Sequence, residues 1–289
     1  MKPQHIILAI AVSILWGGNF VAIRETVTQV PPIFVTAIRF LIQGLILAPF
    51  VGFDWEKIKK LIPYAIVMGV GHFSLIFLGI SGVDASVAGV VMQLNTPLLA
   101  IFAWWFLGDK FGWVRKFGIG VSLVGIIIVA GEPQTASAWG SVLLLFLSSI
   151  CWALGNIQLK RLKDFNPIQT MAWMSMLATP ILLTLSFINE NQQLNAIIMA
   201  DSNFWISLTY MAIGSSIGGY GLWYYLLSRY DVSSIGHYNF LVPLFAIISG
   251  YFILDEPITF ERSLGCAITV IGVGIVQLRT TLLRNQRGR

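Results

Sequence analysis

Charge is the scarcest ingredient of this chain. Lys and Arg number 18 and Asp and Glu 13 among 289 residues, 11% in all, whereas a water-soluble domain carries about 25% because its surface must be solvated. That shortage excludes a soluble globule. Cysteine is rare too: Cys151 and Cys266 both sit inside apolar runs, which excludes a disulfide framework and a thiolate metal site and leaves them as packing residues. No glycine-rich stretch follows a strand-like segment, so there is no phosphate-binding loop and ATP-driven work would need another subunit. The formal charge of +5 does not point to nucleic acid, because the basic residues fall in short clusters between apolar runs. No cofactor and no nucleic-acid partner is expected.

What is present is apolar: 56% of the residues, with a mean hydropathy of +0.79. Stretches that avoid charge predict an all-α integral membrane protein with ten transmembrane helices at 6–23, 33–50, 61–80, 85–107, 114–130, 138–159, 167–188, 204–227, 233–254 and 263–278. At about 20 residues per crossing, these leave no room for a sizeable domain outside the bilayer. The first run lacks a small-residue cleavage site and reads as a retained helix. Alternate loops test the count. With a cytoplasmic N-terminus, fifteen basic residues fall on the cytoplasmic side, in clusters such as Lys57, Lys59 and Lys60; only Arg24 and Arg262 fall opposite, and Arg39 lies inside the second span. The positive-inside rule then places both termini in the cytoplasm.

The chain also resembles itself. Ser13, Ile14 and Trp16 recur as Ser149, Ile150 and Trp152; Asp84 as Asp231; Gly89 and Pro97 as Gly236 and Pro243; Asp109 as Asp255; Gly118 and Gly125 as Gly265 and Gly272. The predicted organisation is two five-helix repeats, 1–132 and 137–282. Five is odd, so the second repeat enters the membrane from the opposite side, and an inverted repeat supports alternating access around a midplane site.

Several stretches resemble the EamA family of the drug/metabolite transporter superfamily: Leu15-Trp16-Gly17-Gly18-Asn19-Phe20, Arg39-Phe40, Asn95-Thr96-Pro97-Leu98, Gly108-Asp109-Lys110 and Leu254-Asp255-Glu256-Pro257. The likeness covers both repeats. Cys151 to Asn156, Gly219 to Trp223 and Leu241-Val242-Pro243 are similar to the corresponding stretches of family members that export cysteine and O-acetylserine. The resemblance implies a ten-helix bundle that exports amino acids and related metabolites across the bacterial inner membrane. One departure is Gly108-Asp109, where the family often has Gly-Glu.

With only Arg39 charged deep in a span, the substrate site is expected to consist of neutral polar groups, aromatics and backbone, which suits a small zwitterion. Pro97 and Pro243 should each free the carbonyl four residues earlier, at Gln93 and Asn239, and these equivalent residues are candidates to hold a substrate ammonium. Tyr220 and Tyr224 stand one turn apart, matched by Phe73 and Phe77 in the first repeat. Trp16 and Trp152, with Asn19 and Asn156 nearby, form a further equivalent pair. His72 and His237 are the histidines inside spans, read either as proton-coupling groups or as packing residues. Arg39 is read as a structural group capping carbonyls near the outer side, or else as a carboxylate ligand. The glycine series Gly118, Gly120 and Gly125 and its partner Gly265, Gly272 and Gly274 permit close helix approach. Asp109, Asp255 and Glu256 are expected in solvated turns or caps.

The leading expectation is therefore a secondary exporter whose partners are a small-molecule metabolite and the lipid bilayer. The alternatives are an exporter of another metabolite or drug class, or a membrane-embedded lipid-modifying enzyme, for which the intramembrane residues supply no convincing nucleophile, metal cluster or paired acids.

Overall fold

The computed structural model describes residues 1–108, 112–131, 138–160, 162, 165–230 and 235–287, and these residues form helices and turns with no strand. Long apolar runs become helices because a helix satisfies its own backbone polar groups where there is no water to do so. The helices are α1 (Pro3–Val27), α2 (Pro32–Phe50), α3 (Trp55–Ser81), α4 (Ala85–Phe106), α5 (Trp113–Ala130), α6 (Ala138–Leu159), α7 (Pro167–Asn189), α8 (Gln193–Met199), α9 (Ser202–Leu227), α10 (Tyr238–Leu254) and α11 (Phe260–Arg287). Among the described residues, eight are long and apolar enough to cross a bilayer; α8 and α9 together make a ninth candidate bent by 104°, and α10 is shorter.

Helix starts follow local chemistry. Proline occupies the first turn of α1, α2 and α7, where its missing N–H is no loss. Asn166 and Gln169 form a capping box at α7, the Asn166 side chain accepting from the Gln169 N–H at 2.8 Å. Asp201 caps α9 by accepting from the Phe204 N–H and from the Gln29 side chain, both at 3.0 Å. These bonds hold its carboxyl below the ordinary range. At their ends α4 and α10 match: Gly108 (φ 68°) and Asp255 (φ 54°) both take the left-handed conformation. Asp109 and Asp231 lie outside the described residues.

Packing is reciprocal between the halves. Helix α1 lies against α9 and α10, and α6 lies against α3 and α4; α2 packs on α7, and α5 on α11. The α5–α11 contact is built on glycine. A Cβ on Gly118 would meet the Gly272 carbonyl oxygen at 2.8 Å, and one on Gly265 the Gly125 oxygen at 2.7 Å, so only glycine allows this approach. Gly120 and Gly274 do not share in it: Gly120 faces open space, and Gly274 faces the Phe240 ring at 3.8 Å. Fully buried Phe40, Phe77, Phe204 and Leu145 fill the interior, while Leu45, Phe117 and Ile127 are exposed on the outside, as lipid-facing residues are. Exposed Trp55 and Trp113 sit beside the basic clusters, and the Lys116 ammonium lies 4.6 Å from the Trp113 ring centroid. That is the aromatic and cationic belt of a membrane interface.

Candidate functional site

A cavity of about 680 Å³ runs into the bundle between the two halves. It reaches Arg115, Lys160 and Gln277, at the helix ends beside the basic clusters, but not Arg24, Asp84 or Arg262 at the opposite end. Ten of the sequence-derived candidates line it: Trp16 and Asn19 from α1, His72 and Phe73 from α3, Gln93 from α4, Trp152 and Asn156 from α6, Tyr220 and Tyr224 from α9, and Asn239 from α10. The side chain of His237 lies outside the described residues. Phe77 is not in the wall; it is fully buried behind Phe73.

Two helix distortions in each half shape the wall. Ala65–His72 of α3 and Tyr210–Gly219 of α9 are π-helical, and Met92–Leu94 of α4 and Gly236–Leu241, which leads into α10, are 3₁₀ turns. The 3₁₀ turns correct the proline argument. The Gln93 carbonyl accepts a backbone N–H at the end of its turn, and the Asn239 carbonyl accepts from Val242. The chain before each proline tightens to i+3 bonding and re-satisfies those carbonyls, instead of leaving them free. The side chains remain unsatisfied: Gln93 Nε2, Asn239 Oδ1, Asn19 Oδ1, Asn95 Oδ1 and Trp16 Nε1 are buried and lack a hydrogen-bond partner.

Aromatic rings close one side. The Trp16 centroid is 5.2 Å from Tyr220 and 5.5 Å from Trp223, and Tyr220 stacks on Tyr224 at 6.2 Å. Gly219 makes room for the indole, since a Cβ there would come within 2.7 Å of Trp16 Nε1. Tyr210 ties α9 to α1 by donating to the Leu15 carbonyl at 2.8 Å. Across the cavity, Asn156 donates to the Trp152 carbonyl at 2.8 Å. His72 Nδ1 lies 3.1 Å from the Ser148 carbonyl and 2.8 Å from the Ser148 hydroxyl, which in turn donates to the His72 carbonyl at 2.9 Å. Through these contacts His72 joins α3 to α6 while lining the cavity.

Arg39 differs from its expected role as a carbonyl cap. It is 3% exposed and lines the cavity; Nη2 donates to the Ser216 hydroxyl at 2.8 Å, while Nε and Nη1 have no partner. Its guanidinium carbon lies 5.1 Å from the Phe73 centroid and 5.7 Å from that of Phe77. Sequence reading missed Tyr64, Trp223, Asn95, Arg115 and Ser216, all in the wall. Asn95 was recoverable as a polar residue two before Pro97, and Ser216 as part of the small-residue run Gly214 to Gly219. Arg115, counted with the loop charges, is 4% exposed. Glu256 is buried rather than solvated: its carboxylate accepts the N–H groups of Ala85 and Ser86 at 2.6 and 3.0 Å, at the N-terminus of α4.

Comparison with known proteins fits this architecture. A probable amino-acid metabolite efflux pump of Escherichia coli (strain K12) is 24% identical over 284 residues, covering 95% of each chain. The uncharacterized inner membrane transporter YedA of the same strain is 25% identical over 277 residues, 93% of this chain and 89% of that one. A crystal structure at 16% identity superposes with a TM-score of 0.68 over 98% of this chain and 99% of its own, a likeness of fold alone. The relatives are named as transporters or pumps, which sets the membrane-enzyme alternative aside. The model of the EamA-like transporter family matches residues 4–131 and again residues 139–278. Because the match runs through both halves of the chain, this protein belongs to the EamA-like transporter family.

Proposed function

We propose that this chain is a secondary exporter of small amino-acid metabolites, of the cysteine and O-acetylserine kind, working by alternating access across the bacterial inner membrane. The observation that carries the reading is the cavity: it opens toward one end of the bundle and is walled by equivalent residues of the two halves, with unsatisfied polar atoms at Gln93 and Asn239. Buried polar atoms without partners are rare and need an explanation, and a small polar substrate supplies one. Donors at Trp16 and Gln93 suit a carboxylate, and the amide oxygens of Asn19, Asn95 and Asn239 suit an ammonium.

Alternating access needs two related halves. The reading of ten crossings in two inverted repeats, 1–132 and 137–282, is supported by the double family match, the reciprocal helix pairing and the matched π and 3₁₀ segments. In this arrangement both termini are cytoplasmic and the cavity faces the cytoplasm, the loading state of an exporter. The relative named for amino-acid metabolite efflux supports the substrate class.

The test is transport by purified protein in liposomes loaded with labelled cysteine, O-acetylserine and a wider amino-acid panel. Saturable, protein-dependent exit of at least one member is the expected result. A panel in which nothing leaves faster than from empty liposomes refutes the assignment.

A further inference from the structure

Among the described residues that line the cavity there is no Asp or Glu, but there are three cations, Arg39, Arg115 and Lys160. Arg39 is the one set among the aromatic residues of the inner wall. A guanidinium there carries a large desolvation penalty unless a counter-charge or a full set of hydrogen bonds compensates it. The protein supplies one bond, from Nη2 to Ser216, and leaves Nε and Nη1 without partners.

We propose that Arg39 is the carboxylate-binding residue of the transported substrate, so that this cavity selects for a carboxylate more strongly than for an amine. The proposal rests on the export reading above and narrows its substrate class. The geometry is that of a held and oriented cation. Phe73 and Phe77 lie against the guanidinium at 5.1 and 5.7 Å, holding it in place while its Nε and Nη1 stay buried and unpartnered. Ser216 fixes its position: the hydroxyl donates its proton to the Met211 carbonyl at 2.8 Å, five residues back in the π-helical segment, and so turns a lone pair to Arg39. Ser216 is thus a positioning residue. Because arginine stays protonated and presents several donors in a fixed fork, it recognises a carboxylate with directional, charge-assisted bonds. The opposite pole of the substrate meets only neutral amide oxygens at Asn19, Asn95 and Asn239, whose bonds to an ammonium have charge on one partner alone. Loss of the carboxylate should therefore weaken recognition more than loss of the ammonium.

The experiment is counterflow in liposomes containing the full-length protein, comparing serine, cysteine and O-acetylserine with their amides, their methyl esters and the matching 2-hydroxy acids. In the wild type the acids should exceed their amides and esters by about tenfold or more, and the 2-hydroxy acids should fall between. Arg39→Gln should lower transport of the acids by about tenfold or more and bring the acid-to-amide ratio close to one. Arg39→Lys keeps the charge without the fork and should keep part of the ratio; Ser216→Ala, which leaves the cation in place but untethered, should lower the ratio less than Arg39→Gln. Amides moving as well as acids in the wild type, or an unchanged ratio in Arg39→Gln, overturns the proposal while leaving export intact. If Arg39→Gln does not accumulate in the membrane, an unchanged ratio in both Arg39→Lys and Ser216→Ala overturns it equally. Failure of the wild type to move any acid or derivative refutes the export reading, and this inference with it.

Discussion

At the scale of the residue, the informative atoms are those that the protein leaves unsatisfied. A buried polar atom without a partner lowers stability by about 1–3 kcal/mol, so Gln93 Nε2 and Asn239 Oδ1 are liabilities in the empty protein unless a ligand uses them. This separates a binding role from a structural one. Gln93→Ala and Asn239→Ala should leave thermal stability in detergent unchanged or slightly raised, while each raises the transport KM about tenfold. A matched loss of stability and transport would assign both residues to packing instead. Both were legible because polar side chains inside apolar runs stand out in composition. Arg115 and Arg262 were not: each sits at a span end in the sequence, where charge is ordinary, and only folding buries them to 4% and 3% exposure.

At the scale of the element, helix ends decide which side of the bundle is closed. At the end away from the cavity mouth, Arg24 donates to the Ile80 carbonyl at 2.9 Å and also to that of Ser81. The Glu190 carboxylate accepts from the Ile33 and Phe34 N–H groups at 2.8 and 3.0 Å. Glu256 caps α4, and Arg262 binds Asp84 at 2.6 Å and Ser86 at 3.0 Å. Acidic groups at helix N-termini and a cation joining α11 to the start of α4 stitch this end shut, through charge placed against helix dipoles. Removing one partner of a buried ion pair costs about 3–5 kcal/mol; Asp84 is 29% exposed, so part of this is screened. Even about 1 kcal/mol moved into the closed-to-open balance raises the open population about fivefold. Arg262→Gln should accordingly speed labelling of a cysteine at Ile23, a buried wall residue, by a membrane-impermeant maleimide applied from that side, in a background with Cys151 and Cys266 replaced. Equal labelling rates with and without Arg262 would show that it does not hold the end closed. The π and 3₁₀ segments belong to this scale too, and periodicity could not reveal them: a residue inserted into or withdrawn from a helical turn leaves an apolar run apolar.

At the scale of the whole molecule, orientation is the property most open to a direct test. An alkaline phosphatase reporter, active only outside the cytoplasm, should be active when fused after Asn191 and inactive when fused after Gly52 or at the C-terminus. Activity at Gly52, or silence at Asn191, would reverse the orientation drawn from the basic clusters. The sequence alone determined the solvent, the set of apolar helices, the internal likeness of the halves and several of the polar residues in the wall, because hydropathy, charge sidedness and rare polar residues are properties of composition and spacing. Tertiary structure decided the rest. It alone brings Arg39 of α2 to Ser216 of α9 and away from any carbonyl, buries Glu256 against a helix with which it has no sequence proximity, and re-bonds the carbonyls before Pro97 and Pro243. The physical reason is common to all three: in a medium without water a polar group must find its partner inside the protein, and which partner it finds is fixed by how distant helices pack.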